Sequence, residues 1–442
     1  MNDASRPLNA VAVPDASPAA SAAGTSGGWR AAILNRRMLI CIFTGFSSGL
    51  PLYLLLNLVP AWLRTEGIDL KAIALFALVQ FPYTWKFLWS PLLDRYALPW
   101  LGRRRGWMLA MHVALIISIA TLGFLEPKNQ IWTIAYLSAV VAFFSASMDI
   151  AMDAYRREIL PDHELGLGNS FYVNAYRISS LVPGSLALIL ADRMPWSSVF
   201  VITALFLLPG LVMTLVVREP TATAAAPKTL LDAVVLPFRE FIARSGWRDA
   251  ALILLFIFLY KLGDSMATAL ATPFYLELGF TKTDIGIVAK NAGLWGSVAG
   301  GLLGGIWMVK IGINRALWIF GVVQMLVILG FAWLSTQGEP NLYSLGLVVG
   351  AEAVGIGMGT VAYVAFIARA TDPRFTATQF ALFTSLSAVP RTLVNATTGV
   401  LVEHLGWVTF FLLCTALALP GMALLLRVAP WKTPVAASRP PP

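Results

Sequence analysis

The sequence contains a succession of apolar runs, each long enough to cross a lipid bilayer, from Met38 to Arg427. A helical span of the hydrocarbon core needs about 20 mainly apolar residues, because no water is present there to satisfy free backbone groups. Only 12% of the 442 residues are charged, which is about half the share in an average soluble domain. The runs therefore predict an all-α membrane protein.

We place about twelve spans in two sets of six. The first set covers 38–63, 72–92, 107–125, 131–153, 166–190 and 197–217, and the second covers 250–275, 284–308, 315–335, 342–368, 376–401 and 407–427. Two such sets joined by a linker are the layout of the major facilitator fold, in which two pseudo-symmetric six-helix bundles enclose a site near the middle of the bilayer. We expect bundles at 38–217 and 250–427.

Polar segments flank and divide these bundles. Residues 1–37, rich in Ala, Ser, Pro and Gly, predict a disordered tail, and residues 428–442 predict a second tail. The linker, 218–249, contains an amphipathic segment from Thr229 to Arg244 that we expect to lie along the membrane surface.

Lys and Arg residues are distributed unequally between the two predicted sides. Outside the spans, 22 of them lie on the side of both termini and the linker, and 5 lie on the other side. The positive-inside rule assigns the richer side to the cytoplasm. We therefore expect a multi-pass bacterial inner-membrane protein with both termini cytoplasmic. The net charge of +9 is explained by these loops, so the expected partner is the lipid bilayer and not nucleic acid.

No motif for catalysis, nucleotide binding or metal binding is found. Cys41 and Cys414 lie inside apolar runs near opposite ends of the chain, and His112, His163 and His404 are scattered. The patterns HExxH and GxxxxGK[ST] do not occur. We expect no enzymatic activity, no cofactor and no metal site, and we expect the cysteines to act as small hydrophobic residues.

A cytoplasmic gate is predicted after the second span. Ser90-Pro-Leu-Leu-Asp94-Arg95 followed by Gly102-Arg103-Arg104-Arg105 resembles the facilitator signature GxxxDRxGRR, in which the acid and the arginines latch helix ends together. The alternative is a plain positive-inside anchor. Asp149 and Asp153, one helical turn apart beside Arg156 and Arg157, are assigned to the same gate.

Nine charged residues remain within the spans: Lys86, Arg177, Lys261, Lys290, Arg391, Asp149, Asp153, Asp264 and Glu352. Each costs about 2.5–3.5 kcal/mol in the bilayer unless it is paired or hydrated, so intramembrane charges indicate function. Lys261 and Asp264 are three residues apart and share a helix face, and Glu352 lies at similar depth. We expect these three to couple transport to protons. A permanent ion pair that only rigidifies the seventh span is the alternative.

The embedded basic residues predict an anionic substrate. Arg177 and Arg391 occupy corresponding spans of the two halves, and an arginine fork suits carboxylates. We assign both to substrate binding together with Lys86 and Lys290, and we expect nearby aromatic side chains to stack on sugar rings: Tyr176, Trp85 and Trp295.

Several stretches together resemble the AmpG muropeptide permease family, in register from about residue 38 to 427. They are Gly45-Phe-Ser-Ser-Gly-Leu-Pro51, Lys86-Phe-Leu-Trp-Ser-Pro-Leu-Leu-Asp-Arg95, Gly102-Arg-Arg-Arg-Gly-Trp107, Ser145-Ala-Ser-Met-Asp149, Asp153-Ala154, Tyr176-Arg177, Tyr260-Lys-Leu-Gly-Asp264 and Ala377-Thr-Gln-Phe-Ala-Leu382.

The resemblance implies proton-driven import of N-acetylglucosaminyl-1,6-anhydro-N-acetylmuramyl peptides by alternating access. It also implies a role in peptidoglycan recycling, which in this family can feed β-lactamase induction. We expect the transporter to be a monomer. Two alternatives stay open at this point: a facilitator for drugs or acetyl-CoA, and a membrane enzyme acting on lipid-linked precursors, for which Asp149 and Asp153 are the only candidate pair.

Overall fold

The computed structural model of the chain describes residues 35–68, 76–98, 101–220, 229–281, 284–372, 374–389, 394 and 397–431. Most of the predicted N-terminal tail, part of the linker, Arg391 and the end of the C-terminal tail lie outside these residues. Apart from one isolated bridge between Leu98 and Gly102, the regular structure of the described part of the chain is helical.

The first half contains six helical segments. They are α1 (Arg36–Thr65), α2 (residues 76–95), α3 (Arg103–Leu122), α4 (Pro127–Ile159), α5 (Asp162–Ala191) and α6 (Trp196–Val216). The described part of α2 is not one continuous helix: it alternates short 3-10 and α turns, because Pro82 and Pro91 each remove a backbone donor.

The second half follows the linker helix (Leu230–Ser245). It contains α7 (Trp247–Glu277), α8 (285–311), α9 (313–334), α10 (Leu342–Ala370), α11 (Thr376–Val389) and α12 (Thr398–Val428). Gly312 separates α8 from α9 with φ 78°, a left-handed conformation that favours glycine. The linker helix begins at a capping box of Thr229 and Asp232 and ends at Gly246.

Nine helices of the described residues are long and apolar enough to cross a membrane. One of them, Ile285–Leu334, folds back at Gly312 and supplies two of the predicted spans. The predicted second and eleventh spans are the two outside this set, because α2 is broken and part of the eleventh span lies outside the described residues. This agrees with the predicted all-helical facilitator fold.

Glycine clusters bring helices into close contact. Gly45 and Gly49 of α1 face the backbone of α5 at Tyr172 and Tyr176. Gly300 and Gly304 of α8 face α10, while Gly301 and Gly305 face Asn174 and Ser170 of α5. A Cβ at these positions would collide with the neighbouring helix. Small residues at these positions let the membrane helices approach closely.

Both halves meet near one end of the helices, which we call the linker face. The linker face carries Arg36, Val216, the linker helix and Val428. Arg36 Nη2 of α1 donates a hydrogen bond to the Val216 carbonyl of α6. Arg244 Nη2 of the linker helix donates a hydrogen bond to the Ala370 carbonyl of α10. A hydrophobic cluster that includes Cys41, Phe241, Phe320 and Phe380 joins the halves there. Separate clusters fill each half elsewhere. We call the opposite end of the helices the far face.

Candidate functional site

Asp94 of the first half binds the start of α11 in the second half. Its Oδ2 accepts hydrogen bonds from the backbone N of Thr378 at 2.8 Å and from Thr378 Oγ1 at 2.7 Å, and Oδ1 accepts from the backbone N of Ala377 at 3.3 Å. The Asp94 side chain is fully buried. A carboxylate at a helix N-terminus satisfies free backbone donors and interacts favourably with the helix dipole, so Asp94 caps a helix of the opposite half.

Arg104 completes this contact between the halves. Its Nη2 lies 2.8 Å from Asp94 Oδ1 and 2.6 Å from Glu158 Oε1, and it donates to Thr376 Oγ1 at 3.1 Å. Thr376 Oγ1 donates in turn to Glu158. We call Asp94, Arg104, Glu158, Thr376 and Thr378 the latch.

The two other arginines of the predicted gate lie beside the latch. Arg103 Nη1 donates to the Asp94 carbonyl at 3.2 Å, and its Nη2 lies 3.9 Å from Glu158. The guanidinium of Arg95 lies over the ring of Tyr96. Arg103 therefore supports the latch from within the first half, whereas Arg95 contacts Tyr96 instead.

Asp149 and Asp153 lie deeper than the latch, in a buried cluster of the first half. Asp153 is shared between Arg156 at 2.8 Å and Lys86 at 3.9 Å. Asp149 accepts a hydrogen bond from Ser48 at 2.5 Å. The structure thus places Lys86, which the sequence analysis assigned to substrate binding, with the two aspartates assigned to the gate. Arg157 pairs instead with Asp162 at 3.1 Å.

Lys261 and Asp264 lie at a break in α7. The helix is interrupted at Tyr260 and Lys261, and a new helical stretch begins at Leu262. Lys261 Nζ lies 2.8 Å from Asp264 Oδ2, while Asp264 Oδ1 has no hydrogen-bond partner among the described residues. Broken membrane helices often carry substrate and ion sites in transporters.

Arg177 and Glu352 bring charges from both halves to the same region. Arg177 of α5 donates from Nη1 to the carbonyl of Ser297 in α8 at 2.9 Å. Glu352 of α10 is 5% exposed, and in the part of the chain that the structure describes its Oε1 accepts no hydrogen bond. Arg177 interacts electrostatically with both Asp264 and Glu352.

The remaining predicted substrate residues are dispersed. Tyr176 packs edge-on against Tyr53 at 5.6 Å between ring centroids, next to Arg177. Trp85 stacks on Phe81 and Phe87 and is exposed, as are Lys290 and Trp295. Arg391 lies outside the described residues.

A small cavity of about 10 Å³ opens beside Asp264, which is room for about one water molecule. It is lined by residues of α7, α9 and α12, including Tyr260, Gln324 and Met422, and so it lies within the second half. A cavity between the halves is what the facilitator fold uses for a bulky substrate, so this smaller cavity suits water beside the Asp264 carboxylate.

The linker helix docks on the start of α11 through a polar cluster at the linker face. Gln379 Nε2 donates to the Pro237 carbonyl at 2.9 Å and to Glu240 Oε2 at 2.8 Å. Burial raises the pKa of Glu240, and the charge of Asp372 adds to the effect. Burial alone would also raise the pKa of Asp372, but hydrogen bonds from Arg374 lower it.

Sequence reasoning missed the partners that complete these contacts. The sequence analysis assigns no role to Glu158, Thr376 or Thr378. Threonines at the start of a helix were the available signal, since they favour N-terminal positions. Glu219, which accepts from the backbone N of Arg104 and Arg105, gave no signal because it lies far from α3 in sequence.

Comparison with known proteins agrees with this architecture. The pattern of the Major Facilitator Superfamily matches residues 84–394. Two solved structures share the fold. FucP, a facilitator transporter in the outward conformation, has a TM-score of 0.67 and 10% identity, over 89% of this chain and 99% of FucP. The proton:xylose symporter XylE has a TM-score of 0.63 and 14% identity, over 89% of this chain and 94% of XylE. The fold and the charged interface define a transporter of the major facilitator superfamily.

Similar sequences identify the family within this superfamily. The anhydromuropeptide permease of Escherichia coli strain K12 is 46% identical over 392 residues, which cover 88% of this chain and 79% of that protein. An uncharacterized protein of Haemophilus influenzae is 49% identical over 408 residues, which cover 90% of this chain and 96% of that protein. The chain belongs to the AmpG family of anhydromuropeptide permeases, and its sequence resemblance to that family is confirmed.

Proposed function

We propose that the protein imports anhydromuropeptides, N-acetylglucosaminyl-1,6-anhydro-N-acetylmuramyl peptides, across the bacterial inner membrane for peptidoglycan recycling. The observation that carries the proposal is the 46% identity to the E. coli anhydromuropeptide permease over 88% of the chain. The half-buried Arg177, which reaches from the first half to Ser297 of the second, supports it, because the peptide of such a substrate carries carboxylates. Uptake of protons with the substrate supplies the driving force.

In this proposal the linker face is cytoplasmic and the far face is periplasmic. The bundles 38–217 and 250–427, the tails 1–37 and 428–442, and the linker 218–249 keep the predicted arrangement. The latch then closes the cytoplasmic side, so that the substrate enters from the periplasm. Opening of the latch and closure of the far face release the substrate into the cytoplasm. One polypeptide supplies both halves of the site, so a monomer is sufficient.

The substrate carboxylates bind Arg177 from the first half and Arg391 from the second. Lys290 adds positive charge near the far face, and Lys86 contributes through the Asp153 cluster. Tyr176, Trp85 and Trp295 offer aromatic surfaces to the sugar rings. Lys261, Asp264 and Glu352 form the proton-coupling group, because they place two carboxylates and a cation together in the second half.

Uptake by proteoliposomes tests the function. Purified protein is reconstituted, and uptake of a radiolabelled anhydromuropeptide tripeptide is measured with an inward proton gradient and without one. We expect accumulation above the external concentration only with the gradient, and competition by unlabelled muropeptide. Uptake equal to that of protein-free liposomes would refute the function. Stronger competition by acetyl-CoA than by muropeptide would favour a carrier of CoA esters instead.

A further inference from the structure

Arg177 reaches the second half at the level of Glu352. Its Nη1 donates to the Ser297 carbonyl at 2.9 Å. The preceding residue, Gly296, packs so closely on α10 that a Cβ there would lie 3.1 Å from the Cβ of Ala353. Ala353 directly follows Glu352 in sequence. The guanidinium of one half and the carboxylate of the other are therefore held at one depth of the bundle.

Glu352 is a buried carboxylate with no close partner of its own in the described part of the chain. Its Oε1 has no hydrogen bond among the residues described. The charged groups that act on it are Asp264 and Lys261 from α7 and Arg177 from α5. Because each buried charge is costly unless compensated, these groups must balance one another.

Arg177 and the Lys261–Asp264 pair respond differently to a movement of the two halves relative to each other. Lys261 lies 2.8 Å from Asp264, and both belong to α7, so their pair moves with the second half. Arg177 belongs to the first half. Its distance to Glu352 therefore changes whenever the halves move relative to each other, whereas the Lys261–Asp264 distance does not.

We propose that Arg177 is the counter-ion of Glu352 in the empty transporter and is captured by a substrate carboxylate on binding, so that Glu352 takes up a proton. The inference rests on the proposed function and names its coupling step. Arg177 stays protonated throughout, and the proton comes from the solution on the side from which the substrate enters. One negative charge arrives with the carboxylate and one positive charge with the proton, so the net charge of the buried site is unchanged.

Calorimetry of binding tests the proposal without transport. Binding of an anhydromuropeptide tripeptide to the purified full-length protein is titrated in two buffers of different ionisation enthalpy, which gives the number of protons taken up. For the unaltered protein we expect about one proton per bound ligand. For Glu352→Gln we expect a value near zero with binding retained. Glu403→Gln, which alters an exposed carboxylate of the same half, serves as the matched control and should keep the uptake.

Two further arms separate coupling from a structural role. Arg177→Gln should weaken binding about ten- to a hundredfold, the effect of losing a charge-assisted hydrogen bond, and should abolish proton uptake because Glu352 is then already protonated. Arg177→Lys should restore uptake with intermediate affinity, since it returns the charge without the planar fork. A muropeptide whose carboxylates are amidated should bind with no proton uptake.

The results also distinguish this inference from the proposed function. Absence of muropeptide binding to the unaltered protein would overturn the function itself. Binding without proton uptake, or uptake that persists in Glu352→Gln or with the amidated ligand, would overturn only the coupling role of Arg177 and Glu352. Size-exclusion and thermal-unfolding profiles confirm that each variant is folded, and the amidated ligand tests the same step with no substitution at all.

Discussion

Thr378→Val should weaken the latch while leaving its fold intact, because valine keeps the shape of threonine but lacks the hydroxyl. The substitution removes the 2.7 Å hydrogen bond from Thr378 Oγ1 to Asp94 Oδ2. The backbone N of the same residue still donates to Asp94 at 2.8 Å. A hydrogen bond to a charged group contributes about 1.5–3 kcal/mol to stability. We expect the lower value here, because the backbone N of Thr378 still donates to the same carboxylate oxygen. A loss of about 1.4 kcal/mol changes an equilibrium constant about tenfold.

This loss shifts the protein toward a state open at the linker face, since the bond joins the two halves. Asp94→Asn should shift it further, because it also removes the charge that faces Arg104 at 2.8 Å. Breaking a buried ion pair costs about 3–5 kcal/mol, although Glu158 still holds Arg104 and limits the effect.

Spin labels at two exposed linker-face positions measure the shift. Tyr96→Cys lies in the first half and Arg315→Cys in the second, and the native Cys41 and Cys414 are buried. We expect Thr378→Val to increase the population at long distance about tenfold. Thr384→Val is the matched control, because that hydroxyl bonds within α11 to Phe380. Equal distance distributions for Thr378→Val and the control would refute the role of the latch.

Three further outcomes are expected. A reporter active only in the periplasm, fused after Arg427, should stay silent, and a bright signal would contradict the assigned topology. Asp264→Asn should abolish gradient-driven accumulation of the substrate but spare substrate exchange. The substitution removes the partner of Lys261 at 2.8 Å, so that Lys261 then holds Glu352 ionised. Unchanged accumulation would exclude this role of Asp264. Docking raises the pKa of Glu240 through burial, so the docked linker helix is favoured at low pH and loosens as pH rises. Hydrogen exchange of residues 230–245, corrected for the intrinsic rate, should show this dependence, and Glu240→Gln should remove it.

The helical architecture was predictable because the bilayer restricts what an apolar segment can form. A run of about 20 apolar residues must be a helix whatever its neighbours are, so the order of the spans follows from the sequence alone. The broken geometry of α2 was harder to predict from the sequence. Its apolar residues satisfy the same length rule, and only Pro82 and Pro91 indicated that the backbone would depart from a regular helix.

The partners of the charged residues were predictable only where they lie on one helix. The Lys261–Asp264 contact follows from a spacing of three residues. The contact between Asp94 and Thr378 joins positions 284 residues apart, and it depends on how the two halves pack. Likewise, the position of Lys86 beside Asp153 depends on the packing of α2 against α4, which no spacing rule supplies.

The latch and the Arg177 contact act on the same motion from different depths. Asp94 and Arg104 hold the halves together at the linker face through bonds to α11. Arg177 bonds to the carbonyl of Ser297 closer to the middle of the bundle. If a substrate carboxylate draws Arg177 away from that carbonyl, one bond between the halves is lost while the latch remains. Opening then requires only that the latch release, so substrate binding lowers the free energy needed for the halves to separate at the linker face. An unloaded transporter keeps both contacts, and it opens there less readily, which limits the leak of protons without substrate.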